Sequence, residues 1–218
     1  MSLPIITTTS SSRYRSAADP ALQVHKRFLL IDNPGHGKLR HHALDSIVKP
    51  QKLKGIIFLV DAANLSSSSA SGSGGARSAD EGLREAAEYL HDILLLLQKR
   101  ATGATTSKAP SEIPMLIAAN KLDLFTALPA PLVRTALEAE ITNVRNSRLR
   151  GLLDSGISMG DTADAGEEKE WLGDGGEGKF EFSQMEEVNV SVVVAGGNVS
   201  GSEGADVAKW WDWIGSVL

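Results

Sequence analysis

Three short apolar runs, each closed by a polar residue, constrain this chain more than any other feature. They are residues 27–32 (RFLLID), 55–61 (GIIFLVD) and 114–120 (PMLIAAN). Continuous apolar runs of this length suit strands buried on both faces, the situation of a parallel sheet covered by helices. Residues 188–195 predict a further buried strand. Between these runs the period changes. Residues 84–100 (REAAEYLHDILLLLQKR) place Ala87, Leu90, Ile93, Leu94 and Leu97 at helical spacing, with basic residues closing the C-terminal end. Residues 130–146 and 205–217 predict two more helices. The last carries Trp210, Trp211 and Trp213, which cannot all lie on one side, so one or two of them are expected to anchor the core. Strand and helix in alternation predict an α/β fold, a mostly parallel sheet with helices on both faces.

A length of 218 residues with 42% hydrophobic content fits one domain with a sizeable core. The absence of cysteine excludes a disulfide scaffold, a Cys-ligated zinc site and thiol catalysis. The net charge of −5 is local: residues 161–187 hold ten acidic residues against Lys169 and Lys179, so the remainder is slightly basic and the balance points to no particular partner. No apolar run approaches the roughly 20 residues that cross a bilayer, and the first residues do not resemble a signal peptide. A soluble chain in an aqueous, reducing compartment is expected. Segments 66–79, 101–112 and 155–178 are poor in apolar residues and read as flexible surface insertions.

In parallel sheets ligands bind beyond the carboxyl ends of the strands, so the polar residues closing the runs are where chemistry is expected. The first run leads into Asp32-Asn33-Pro34-Gly35-His36. A carboxylate there can hold Mg²⁺, and a glycine lets a backbone N–H approach a phosphate oxygen. A Pro-Gly turn with a capping aspartate explains the same residues equally well. The third run leads into Asn120-Lys121-Leu122-Asp123. The Asp123 carboxylate can accept from both N1–H and the exocyclic amine of guanine, an edge that adenine lacks. Asn120 can fix the loop, and the aliphatic stem of Lys121 can lie over a purine face. A surface loop with one cap is the plain alternative.

The two motifs together, in this order and each at a strand end, resemble the Ras-like GTPases, in which Asp-x-x-Gly is the magnesium and γ-phosphate switch and Asn-Lys-x-Asp reads guanine. His36 after the glycine is similar to the Sar branch of the Arf-like proteins. Residues 30–36 (LIDNPGH) with Leu39-Arg40, 57–61 (IFLVD), 86–90 (AAEYL), 117–121 (IAANK) and 179–184 (KFEFSQ) resemble the family of signal recognition particle receptor beta subunits. That resemblance implies GTP and Mg²⁺ as cofactors. It places Thr9 in the first switch, closing on Mg²⁺ with Asp32; a polar strand edge accounts for the same three adjacent threonines. It puts Gly35 at the γ-phosphate, His36 beside the attacking water as the catalytic candidate, and Asn120, Lys121 and Asp123 on the base. Ala195 and Gly196 fall where the family offers backbone N–H groups to the guanine O6.

The same resemblance implies a GTP-binding switch that holds the receptor alpha subunit through residues 7–12 and 32–43 at the cytosolic face of the endoplasmic reticulum, for co-translational targeting. Ribosome or translocon contacts are possible partners, and no direct nucleic-acid binding is expected. A Gly-x-x-x-x-Gly-Lys-Ser/Thr phosphate loop should precede Thr9 and does not occur there; residues 173–179 (GDGGEGK) come near it, but Phe180 replaces the hydroxyl residue and no apolar strand precedes. The expectation is therefore a chain without the family's first strand, phosphate loop and N-terminal membrane anchor, with weak or no hydrolysis. Two other readings stay open: an Arf/Sar-type coat-assembly GTPase, and a nucleotide-independent scaffold.

Overall fold

The computed structural model describes residues 2–4, 25–48, 53–65, 79–102, 112–154, 172–173, 178–200 and 204–218. Thr9 and most of the three expected insertions lie outside the described residues. The frame is a three-stranded parallel sheet of β3 (Ile56–Asp61), β4 (Met115–Asn120) and β5 (Val192–Gly196), with β4 in the middle. Ile57, Leu116 and Val193 share one register row, and Leu59, Ala118 and Ala195 the next but one. A separate pair, β1 (Ser2–Pro4) and β2 (His25–Arg27), is antiparallel.

β4 is fully buried from Met115 to Ala119 because it is paired on both edges and covered on both faces. Phe58, Val60, Met115, Ile117 and Ala119 meet α2 (Ala79–Thr102) and α3 (Ala130–Asp154), whose inward residues include Ala87, Leu90, Leu94, Leu97, Val133, Leu137 and Ile141. The opposite face packs Leu116 and Ala118 under α4 (Ala208–Val217) through Trp210 and Trp213. Trp210 also donates from Nε1 to the Ala195 carbonyl at 3.1 Å, which meets the polar requirement of a buried indole. Trp211 is half-buried and outside both core clusters.

The run at residues 27–32 departs from expectation. Only its first residue is in a strand, and Leu29, Leu30 and Ile31 are 85, 62 and 50% exposed. An apolar run becomes a doubly buried strand only where neighbours supply hydrogen bonds along both edges. The partner Ser2–Pro4 reaches only residues 25–27, and no other described strand lies beside this run. β3 has the complementary feature: among the described residues its outer edge has no strand, and Ile57 and Leu59 stay exposed beyond the cover of α4.

The 179–184 segment has a structural role. Phe180 and Phe182 are buried edge to face, with ring centroids 5.7 Å apart, and Phe182 opens a 3-10 helix, Phe182–Val188. Their backbone N–H groups donate to Thr142 Oγ1 and Glu138 Oε1 of α3, at 2.9 and 3.0 Å. Asn189 then takes φ 58°, a conformation asparagine tolerates well, and turns the chain into β5.

Two substitutions separate buried from open apolar positions. Phe182→Ala removes a ring enclosed by core and is expected to cost about 3–5 kcal/mol. Leu59→Thr replaces an exposed side chain with another strand former and should change stability by less than about 1 kcal/mol. Urea denaturation of the two variants checks both values.

Candidate functional site: the carboxyl ends of the parallel strands

The site is built where β3, β4 and β5 end. Asp61 and Asn120 are register partners, and from this point the ladder continues into loops: Ala62 N–H donates to the Asn120 carbonyl, and Leu128 N–H to the Ala62 carbonyl, both at 3.0 Å. Gly197 N–H donates to the Ala119 carbonyl at 2.9 Å, and Leu122 N–H to the Gly197 carbonyl at 3.2 Å. The Asn120 side chain closes the arrangement, its Oδ1 accepting from Val199 N–H at 3.1 Å. Asn120 thus ties the loop after β4 to the loop after β5.

Lys121 sits at φ 66°, a left-handed conformation unusual for a lysine. Its carbonyl accepts from Leu124 N–H at 3.1 Å, making a tight turn that carries Asp123 outward into an exposed position. Lys121 Nζ reaches across to Asp61 Oδ2 at 2.6 Å. The Asp61 hydrogen bond, then its charge, raise the Lys121 pKa, with a smaller contribution from Asp123. Asp61 Oδ1 meanwhile accepts from Ala63 and Asn64 N–H at 3.1 and 3.3 Å, so this carboxylate is held from two sides.

Gly196 and Gly197 are small for a reason. A Cβ on Gly196 would collide with Leu122, and one on Gly197 with the Asp206 carbonyl and the Trp210 ring. Close approach of two loops, rather than a turn, requires these glycines. Ala195 and Gly196 lie inside β5, and the residues that directly brace the Asn120 loop are Gly197 and Val199. Asn198 stiffens this loop further, its side chain donating to the Gly204 carbonyl and accepting from Asp206 N–H.

Asp32, Gly35 and His36 stand on the exposed segment that leads to a 3-10 turn, Gly37–Leu39, and α1 (Arg40–Val48). His36 Nδ1 accepts from Lys38 N–H at 3.3 Å, which puts the proton of a neutral ring on Nε2. Arg40 fastens this segment: Nε donates to the Gly35 carbonyl at 3.3 Å, Nη2 pairs with Glu85 of α2 at 2.8 Å, and the guanidinium lies 4.5 Å from the centre of the Tyr89 ring. At the far end of α1, Arg100 donates to the Ile47 carbonyl at 2.8 Å. Among the described residues no hydrogen bond or ion pair joins residues 32–36 to residues 120–123, and no group of His, Asp or Glu is arranged to hold a metal. Asp32 supplies one open carboxylate, which suits a Mg²⁺ whose other ligands are phosphate oxygens and water.

Gly173 and Gly178, the described residues on either side of positions 174–177, lie elsewhere. Gly173 N–H donates to the buried Gln98 side chain and Arg145 donates to the Gly178 carbonyl. The chain then reaches the amino ends of β4 and β5, where Ile113 and Met115 N–H bond to the Asn189 and Ser191 carbonyls. That is the end of the sheet opposite Asn120.

A parallel sheet with helices on both faces and Asn-Lys-x-Asp at the end of its central strand defines a Ras-like GTPase fold. The sequence model described as "Signal recognition particle receptor beta subunit" matches residues 4–190. The signal recognition particle receptor subunit beta of Saccharomyces cerevisiae is 32% identical over 193 residues, 87% of this chain and 66% of its own length. Two solved Chaetomium thermophilum structures superpose with a TM-score of 0.69. The receptor SRb-GDP-Mg is 41% identical, covering 88% of this chain and 80% of that one. The SRb-GTP/SRX complex is 38% identical, covering 89 and 68%. This chain belongs to the signal recognition particle receptor beta subunit family. It spans 56–66% of the length of the curated relatives it matches.

The Asn120 loop is marked by its motif, whereas Asp61 and Val199 belong to no motif. Asp61 was legible as the polar residue closing an apolar run; Val199 acts through its backbone and carries no side-chain signal. Glu85→Gln should release Arg40 and with it α1. Hydrogen–deuterium exchange over residues 36–47 is expected to quicken several-fold in that variant, with exchange in β4 unchanged.

Proposed function

We propose that this chain is the guanine-nucleotide-binding subunit of a signal recognition particle receptor, working at the cytosolic face of the endoplasmic reticulum and holding the receptor alpha subunit in a nucleotide-dependent way. The observation that carries this reading is the pre-formed loop at the end of β4. Asn120 is locked to Val199, Lys121 is held at positive φ, and Asp123 is presented outward as an open carboxylate. A loop fixed before the ligand arrives loses little entropy on binding. Solved relatives carrying GDP with Mg, and GTP with SRX, support both the nucleotide and the partner.

In this reading Asp123 accepts from the guanine N1–H and amine, the Lys121 stem covers the purine face, and Ala195 and Gly196 stand beside the O6 edge. Thr9, Asp32 and Gly35 serve the phosphate end, Thr9 and Asp32 on the side where Mg²⁺ would bind. Bound Mg²⁺ neutralises phosphate charge. Arg40 links Gly35 to α2, so a phosphate that draws Gly35 toward it pulls on α1, the surface offered to the alpha subunit. Hydrolysis is slow in this reading. His36 spends its Nδ1 lone pair on the Lys38 N–H, and the Arg40 guanidinium is already neutralised by Glu85.

Asp123→Asn is expected to weaken GDP binding at least 100-fold and to favour xanthine nucleotides, whose 2-oxo group matches the amide donor. Competition against a fluorescent GDP analogue measures both. Pull-down of the alpha subunit tests the partner: capture with GTP but not GDP supports the switch, capture regardless of nucleotide supports a scaffold, and no capture removes the receptor reading. GTP turnover by this chain that disappears in His36→Ala would overturn the slow-hydrolysis prediction.

A further inference from the structure

Two carboxylates compete for one ammonium at the end of the sheet. Asp61 and Asp123 both act on Lys121, and Asp61 holds it, at 2.6 Å. The reason is preorganisation. Asp61 Oδ1 is fixed by the Ala63 and Asn64 N–H groups, and its backbone is paired in register with Asn120. The acceptor therefore waits in place, while Asp123 sits on an exposed turn and would lose side-chain freedom to make the same pair. The positive φ of Lys121 belongs to the turn that carries Asp123 outward while the lysine bonds across to β3.

We propose that Asp61 is a positioning residue for nucleotide recognition: by taking the Lys121 ammonium across to β3, it leaves both oxygens of Asp123 open to the base. The consequence rests on the guanine reading above. Guanine offers two donors on one edge, N1–H and the exocyclic amine, and needs both carboxylate oxygens. Hypoxanthine lacks the amine and needs one. A lysine seated on Asp123 therefore penalises guanine more than hypoxanthine, and Asp61 sets selectivity between the two without touching the base itself.

Asp61→Asn isolates this effect. The amide keeps an oxygen for the Ala63 and Asn64 N–H groups, so the turn survives, and it removes the charge that holds Lys121. The GDP-to-IDP affinity ratio, measured by competition, is expected to fall about tenfold in Asp61→Asn. It should return in Asp61→Asn/Lys121→Met, which deletes the wandering ammonium and keeps an apolar stem for the purine face. A general loosening of the site would weaken both nucleotides alike and leave the ratio unchanged, which would overturn the proposal.

A second readout needs no nucleotide. The side-chain carboxyl ¹³C resonance of Asp123 should shift in Asp61→Asn and revert in the double variant; an unmoved resonance overturns the proposal. Failure of the unsubstituted chain to bind either nucleotide would remove the guanine reading, and the resonance would then decide the Asp61 assignment by itself.

Discussion

Double pairing of β4 is the constraint on which the rest of this structure depends. A strand with hydrogen-bonding partners on both edges and helices over both faces must be apolar throughout, and residues 115–119 are fully buried. The same pairing decides where the polar chemistry goes. The first residue allowed to be polar is Asn120, at the point where cover ends, and Asp61 is brought beside it by register. The site is thus a by-product of sheet geometry, with its side chains carried at the end of the fully buried central strand.

Two kinds of reinforcement turn that position into a defined loop. One is backbone to backbone, through Gly197 and Ala62, and depends on the absence of side chains where the loops cross. The other is side chain to backbone, through Asn120 Oδ1 and Asp61 Oδ1. Neither costs the ordering of long side chains, since asparagine and aspartate have few rotamers to lose. The segment from Asp32 to Leu39 is held differently. Its principal side-chain tie to the body is one arginine, shared among a carbonyl, a carboxylate and an aromatic ring. A closely braced loop at one end and a lightly tied segment at the other fit the proposed switch, because only the lightly tied part can respond to a ligand without disturbing the core.

The central sheet and its helices were legible in sequence because their residues answer to local periodicity and to burial on both sides. The 55–61 and 114–120 runs became β3 and β4 almost residue for residue, and the 84–100 and 130–146 helices were found within longer ones, Ala79–Thr102 and Ala130–Asp154. The strand expected over residues 188–195 begins only at Val192, because the 3-10 helix runs to Val188 and the left-handed Asn189 follows it. The 27–32 run stays outside the parallel sheet for a different reason. Apolar composition states that a segment can be buried on both faces, not that neighbours exist to bury it. Asn120, Lys121 and Asp123 are visible as a motif, whereas the roles of their supports are not: Val199 contributes a backbone N–H, and Asp61, though it visibly closes an apolar run, contributes a charge that matters only once register sets it beside Lys121.

That last point bears on how carboxylates at strand ends should be weighed. Asp32 and Asp61 close similar apolar runs, although only Asp32 opens an Asp-x-x-Gly motif. Structure separates them by their neighbours. Asp61 is occupied on both oxygens, by two backbone donors and one ammonium, so it has little capacity left for a ligand and acts on what surrounds it. Asp32 is exposed and, among the described residues, has no such neighbours, which under the proposed function leaves its lone pairs for a cation or a phosphate-bound water. A carboxylate that is already satisfied organises a site, and one that is open takes part in binding. By this criterion Asp123, exposed on its turn, stands with Asp32, and under the proposed function both are the carboxylates left for a ligand while Asp61 is not.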